Sequence, residues 1–163
     1  MSGTGKSTVL AELGRRGFDV VDTDYGGYAI EAAPFPGSPP EQRWLEDRID
    51  ELLTDHDEQP EPALFVAGAV ANQGAFYPRF AAVVLLSAPV DVVLDRLARR
   101  TTNDFGKSPG DRERVLSDLA EVEPRLRAGA DLEIDTHRPL SEVVDRLVRL
   151  AEELAPPASE QPG

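Results

Sequence analysis

The chain contains no cysteine. Disulfides, thiolate nucleophiles and thiolate metal sites are therefore excluded. Histidine is nearly as scarce, and His56 and His137 are far apart in sequence and show no metal-ligand spacing. No apolar run reaches the roughly 18 residues that a membrane-spanning helix needs. The N-terminus lacks a basic-then-apolar signal pattern, and the C-terminus lacks a lipidation motif. Together these absences lead to the expectation of a cytoplasmic protein. Lysine is the other rarity: of 17 basic residues only Lys6 and Lys107 are lysine, and the rest are arginine. The formal net charge of −13 argues against general affinity for nucleic acid or for anionic membranes. A local basic site can still hold phosphates.

At 163 residues, 40% of them hydrophobic, the chain is expected to form one domain with a real core. No internal repeat is present. The pattern alternates helix and strand. Residues 6–16 read as a helix, with Val9, Leu10 and Leu13 on one face and Gly17 as its stop. "FDVVD" (18–22) reads as a strand, and the Gly- and Pro-rich residues 25–39 as loop. "PEQRWLEDRIDELL" (40–53) reads as an amphipathic helix, followed by a solvated connection over 55–62. "ALFVAG" (63–68) and "AAVVLLS" (81–87) are continuous apolar runs of the kind found in parallel strands covered on both faces, with a short helix expected between them. Further helices are expected over 89–100, over 111–127 with a bend near Pro124, and over 139–154; "DLEID" (131–135) reads as a strand. Residues 101–110 read as loop and 155–163 as a disordered tail. The expected fold class is α/β, with a mainly parallel sheet.

The opening "MSGTGKST" supplies most of a phosphate-binding loop, whose pattern is G-x-x-x-x-G-K-[ST]. Gly5, Lys6 and Ser7 form its end, and Gly3 is a flexible position inside it. In such a loop the glycines let backbone N–H groups close around phosphate oxygens, and the following helix adds its N-terminal dipole. Lys6 neutralises β- and γ-phosphates; Ser7 offers an oxygen to Mg²⁺. The first glycine of the pattern and the strand that feeds it would fall before Met1. The expectation is an N-terminal truncation that removes the first strand of the sheet.

"DVVDTD" places Asp22 and Asp24 at the end of the next strand, which in open parallel sheets faces the ligand crevice. One carboxylate can orient Mg²⁺; the other can take a proton from an attacking hydroxyl. The same pair also suits a strand end and a turn. Neither later apolar run ends in the Asp or Asp-Glu expected of a motor or transporter ATPase, and no N-K-x-D text for guanine recognition is present. Arg96, Arg99, Arg100 and Lys107 form a basic cluster in an acidic chain, with 96, 99 and 100 spaced to share a helix face and Gly106, Pro109 and Gly110 as hinge candidates. A solvated face paired with Asp91 and Asp95 is the alternative. Tyr25, Tyr28 and Phe35 either line an acceptor pocket or cover the core. Asn72 and Gln73 either bind an acceptor or cap a helix. Trp44 is expected in the core.

In these features the chain resembles the P-loop small-molecule kinases: shikimate kinases, gluconate kinases and nucleoside monophosphate kinases such as adenylate kinase. "GFDVVDTD" is similar to the shikimate-kinase stretch in which D-x-D follows the second strand, and "VAGAVAN" to the glycine-rich loop after the third. "DRLARRTTNDFGK" resembles the arginine-bearing lid, and "IDTHRPLSEVV" the adenine-side loop and last helix. A closer likeness is to shikimate-kinase-like ATP-binding proteins, some labelled AAA, that carry a T-T-N-x-F-G-K lid. Two departures stand out. The triple glycine of shikimate kinases is reduced to Gly68 with Ala69, and only Arg43 and Arg48 are candidates for the arginine that grips the acceptor carboxylate.

The resemblance implies a three-layer P-loop domain over 1–154 with a lid near 100–110, acting on ATP with Mg²⁺. It implies that Gly3, Thr4, Gly5, Lys6, Ser7 and Thr8 hold the nucleotide, with Arg138 and Pro139 beside the adenine. Ser7, Asp22 and Asp24 would serve the metal. Lys6, Asp24, Arg100 and Lys107 would be catalytic. The expected partner is a small-molecule phosphate acceptor rather than nucleic acid or a membrane. The alternatives are a nucleotide-binding regulatory module and an ATPase coupled to a partner protein.

Overall fold

The computed structural model describes residues 2–59, 61–99, 101 and 108–155. Helix α1 (Lys6–Arg15) buries Val9, Leu10 and Leu13, as their spacing requires. It stops where Gly17 turns to φ +92 and donates to the Gly14 carbonyl. Strand β1 (Asp19–Asp22) follows at once.

Next comes an antiparallel hairpin of β2 (Ala29–Ala32) and β3 (Glu41–Trp44), with Ala29 opposite Trp44 and Ala32 opposite Glu41. This corrects two expectations. The Gly- and Pro-rich stretch holds a strand, and the helix expected from residue 40 is α2 (Glu46–Glu58), which begins later and runs further. Trp44 lies on a strand. Its indole reaches Thr23 from there, donating from Nε1 to Oγ1 at 2.8 Å, and Leu45 closes the hairpin by donating to the Tyr28 carbonyl. Long-range pairing overrides the helical periodicity of the segment.

The remaining chain alternates as anticipated. Strand β4 (Leu64–Ala67) leads to a 3₁₀ helix (Gln73–Arg79), then β5 (Val84–Ser87) and α3 (Val90–Arg99). The bend expected near Pro124 is a break between α4 (Pro109–Glu121) and α5 (Glu123–Gly129). Proline lacks the N–H that would have continued α4. A reciprocal capping box between Ser108 and Asp111 starts α4. Pro109 and Gly110, expected as hinge points, therefore sit in a capped helix turn. Strand β6 (Leu132–Asp135) and α6 (Leu140–Leu154) complete the fold. Of the tail expected over 155–163, residues 156–163 lie outside the described residues. Among the described residues no helix is long and apolar enough to cross a membrane.

The parallel strands pair as β1 with β4 (Asp19 opposite Leu64, Asp22 opposite Ala67) and β5 with β6 (Val84 opposite Leu132, Ser87 opposite Asp135). They do not merge into one sheet among the described residues. Side chains alternate along β4. Phe65 and Ala67 pack with α1, Ile134 and α6; Leu64 and Val66 pack with Trp44, Ile49, Leu53 and Phe76. A third cluster joins Val93 and Leu97 of α3 to Val115 of α4. Between β4 and β5 lies a mostly apolar cavity of about 610 Å³.

One buried lock sets the end of β1. The Thr23 hydroxyl accepts a hydrogen bond from the Trp44 indole N–H and donates to the Ala67 carbonyl at 2.9 Å, while its amide donates to the same carbonyl. A Cβ on Gly68 would collide with Thr23 Oγ1 and press on the Trp44 ring at 3.2 Å. Gly68→Ala is therefore expected to lower stability by about 1–3 kcal/mol. Trp44 is the only tryptophan, so denaturant melts followed by its fluorescence check this directly. An unchanged midpoint would contradict the packing.

Candidate functional site

The site starts from two glycines. Gly3 (φ +80) and Gly5 (φ +93) both adopt left-handed backbone, which side-chain-bearing residues rarely do. At Gly3 a Cβ would also sit 2.9 Å from a Val93 methyl. Gly5 occupies the N-cap of α1, no side chain caps the helix, and its first turn holds no acidic residue. The first amides of a helix lack intrahelical acceptors, and the dipole places partial positive charge there. The positive end of α1 is left without a neighbouring carboxylate from its own first turn, which suits an anionic ligand. Lys6, half-buried, and the exposed Ser7 and Thr8 project from this turn.

The loop is fixed from behind. Thr4 is buried, and its carbonyl lies 2.8 Å from the buried Thr136 hydroxyl, which also lies 3.1 Å from the Ser87 carbonyl. Arg96 of α3 donates to Thr136 twice, Nη1 to Oγ1 at 2.9 Å and Nη2 to the carbonyl at 2.6 Å, and Nη1 lies 3.4 Å from the Gly3 carbonyl. For Arg96 the alternative of a solvated face paired with Asp91 and Asp95 does not hold. Its guanidinium is turned inward onto the loop. Arg99 does face solvent, paired with Asp95 at 2.9 Å. Arg100 and Lys107 lie outside the described residues.

The acidic side meets the loop at Ser7. Ser7 Oγ donates to Asp22 Oδ2 at 2.7 Å, and the other Asp22 oxygen accepts from the Asp24 amide at 3.2 Å. Asp24 itself is exposed. Beside these groups is an open cleft of about 470 Å³, lined by Ser7, Asp22, Tyr25, Gly26 and Tyr28 among others. Tyr25 is exposed, whereas Tyr28 carries the Arg48 guanidinium 4.8 Å over its ring. Arg43 pairs with Glu41 on β3.

Asn72 and Gln73 are committed elsewhere. Asn72 brackets the Trp44 backbone, accepting from its N–H at 2.8 Å and donating to its carbonyl at 3.1 Å; Gln73 holds the Val70 amide and the Tyr77 hydroxyl. They brace the 3₁₀ segment; Asn72 is its N-cap residue, but its side chain makes no cap hydrogen bond there. His56 is on α2 and His137 is exposed. Phe35 is exposed. Arg138 and Pro139 come two and three residues after Thr136; Arg138 is exposed, 3.7 Å from Glu142, and Pro139 is the N-cap of α6. No group of three or more His, Cys, Asp or Glu side chains that could hold a metal occurs among the described residues. The residues that sequence reasoning missed are Thr23 and Ser87, along with the buried bracing role of Thr136, which the resemblance had placed in the adenine-side loop; their partners lie between 21 and 132 residues away in the chain.

A glycine-built loop, a helix N-terminus, a lysine and a hydroxyl–carboxylate pair define a nucleotide-binding domain of the P-loop NTPase type. The chain belongs to the AAA domain family, whose match spans residues 1–118. None of the curated proteins matches it.

Since Arg96 holds the loop from behind, Arg96→Ala is expected to weaken ATP binding about tenfold or more, from loss of charge-assisted hydrogen bonds. Arg99→Ala, on the solvent side of the same helix, should leave affinity unchanged. Calorimetric titration of both variants checks the contrast.

Proposed function

We propose that the chain is an ATP-dependent kinase that transfers a phosphoryl group to a small hydroxylated or phosphorylated metabolite. The observation that carries this reading is the Ser7–Asp22 contact, which joins the phosphate loop to the acidic strand end beside an open cleft. The family match supports the nucleotide; the acid pair and cleft support an acceptor.

In this reading the backbone of Gly3–Gly5 and the first turn of α1 bind the phosphates. Lys6 offsets charge on the transferring group. The acceptor sits in the cleft by Tyr25 and Tyr28. Its hydroxyl oxygen attacks the γ-phosphorus and gives its proton to Asp24, while the bond to the β-phosphate oxygen breaks and ADP leaves. Arg100 and Lys107 belong to the lid by resemblance, and Arg138 and Pro139 to the adenine side. The domain spans 1–154 in three layers.

The donor set fits Mg²⁺, which uses one or two protein oxygens and takes the rest from phosphates and water. Ser7 Oγ and Asp22 Oδ2 would hold it, with Asp24 in reach of its waters. When bound it would neutralise charge on the phosphate oxygens.

An ATPase coupled to a partner protein is the second reading, favoured by the family match. Against it, β4 ends in Ala67, followed by Gly68, and β5 ends in Ser87, followed by Ala88, so neither strand presents a carboxylate at its C-terminal end.

The test is a screen for ADP release with ATP and Mg²⁺ against shikimate, sugar acids and nucleoside monophosphates. Acceptor-dependent ADP release is expected, abolished in Lys6→Ala. Asp24→Asn should cut turnover at least about a hundredfold with ATP affinity nearly unchanged. Chelation of Mg²⁺ should stop transfer. Tight ATP binding with no acceptor-dependent loss would sink the kinase reading and leave a regulatory module. Hydrolysis that appears only with a protein partner would support the coupled ATPase.

A further inference from the structure

The cleft beside the phosphate loop has two chemically different ends. It follows the groove between α1 and β1, and Tyr25, Gly26 and Tyr28 wall it on the side of the turn that follows. Ser7, Leu10 and Ala11 are spaced to share one face of α1, and Val20 and Asp22 project to the same side of β1. The two elements run in opposite directions. Ser7 Oγ meets Asp22 at one end, and a Cβ on Gly14 would stand 3.3 Å from a Val20 methyl further along. One end of the cleft therefore holds the Ser7–Asp22 pair, and the other holds Ala11 and Val20. These two lie about 6 Å along their elements from that pair, the span of a single ring and the carbon that carries its hydroxyl.

The far end is apolar and open to water. Val20 is exposed although it is a β-branched residue on a strand, and Tyr25 of the same cleft is exposed too. Apolar side chains gathered in an exposed groove mark a binding surface. At about 470 Å³ the cleft falls within the range of small-molecule pockets, roughly 300–1,000 Å³.

Charge narrows the class of ligand. Among the described residues no lysine or arginine lines the cleft. The two arginines that the resemblance offers for gripping an acceptor carboxylate are turned elsewhere. Arg48 lies over the Tyr28 ring, with Nη1 3.3 Å from the Gly26 carbonyl and 3.4 Å from the Gly27 carbonyl, so it braces the wall. Arg43 pairs with Glu41. A carboxylate at the far end would lose hydration against Val20 and Ala11 and would be repelled by Asp22. We propose that the cleft selects an uncharged alcohol borne on a compact apolar ring, its hydroxyl at the Asp22–Asp24 end and its ring against Val20 and Ala11. The proposal deepens the kinase reading and rests on it for the role of the cleft. The acceptor oxygen bonds to the γ-phosphorus, its proton passes to Asp24 and ADP leaves.

The test uses matched probes on the full chain. Benzyl alcohol and cyclohexylmethanol carry the hydroxyl and the ring; para-(hydroxymethyl)benzoate and its cyclohexane counterpart add a carboxylate at the far end. Amide chemical shifts titrate binding with a non-hydrolysable ATP analogue and Mg²⁺ present, and ADP release with ATP reads transfer. The neutral alcohols should shift amides over 10–11 and 20–28 and bind at least about tenfold tighter than the carboxylates. Val20→Lys and Ala11→Lys, both at exposed positions, should each turn the preference toward the carboxylates. Equal or tighter binding of the carboxylates to the unmodified chain overturns the proposal. So does a preference that neither lysine variant alters, or the absence of any shift from all four probes. Binding of the neutral alcohols in this cleft without ADP release supports the selectivity and sinks the kinase reading. ADP release driven by shikimate or a sugar acid, with no preference for neutral alcohols, keeps the kinase reading and overturns the selectivity.

Discussion

The hydroxyl of Thr136 and the guanidinium of Arg96 hold the carbonyl side of the Gly3–Gly5 turn, and the rest of the site depends on that hold. A loop with two left-handed glycines has little intrinsic preference for one shape. Anchoring the Gly3 and Thr4 carbonyls selects one. It does so with groups that are themselves committed: Thr136 is buried, and Arg96 is bonded to it through both terminal nitrogens. A preorganised anion site loses less on binding than one assembled by the ligand. The chain carries a strong net negative charge, so such a site must be built from local dipoles and a few placed cations rather than from the overall field.

The acidic side is fixed by an independent lock. Thr23 sits between Asp22 and Asp24, and its hydroxyl is tied to the Trp44 indole and the Ala67 carbonyl. The two carboxylates therefore flank a residue that cannot rotate away. Through Trp44 the same lock reaches the β2–β3 hairpin, and through Asn72 the 3₁₀ segment. The phosphate loop and the acid pair are thus positioned from different parts of the core and meet at Ser7 and Asp22.

Much of this was legible in the sequence. Helices α1, α3 and α6 follow from apolar spacing, and the parallel strands from short apolar runs between turn signals. Asp22 was legible because motif and strand end together fix its place. The hairpin was not. Trp44, Leu45, Ile49, Leu52 and Leu53 satisfy a helical period, while the pairing that makes 41–44 a strand depends on residues across a Pro-rich loop. Arg96 shows a different limit. Its spacing to Arg99 puts the two near one face of α3, yet spacing does not say that one guanidinium bends inward and the other stays in water. Thr23 carries no local mark at all, and the motif around Thr136 does not show that its hydroxyl is buried against the loop, because a buried threonine is defined by what surrounds it. Arg100 and Lys107 stand on sequence alone, since both lie outside the described residues.

The phosphate loop touches the two strand pairs on opposite flanks of the cavity. Thr136 follows β6 and holds the loop through Thr4, while Ser7 holds Asp22 at the end of β1. The loop is in effect a staple across a seam. Any change in how far apart the two halves sit must pull or slacken the peptide between these fastenings. The geometry offered to a triphosphate then becomes a gauge of how well the interior of the sheet is closed.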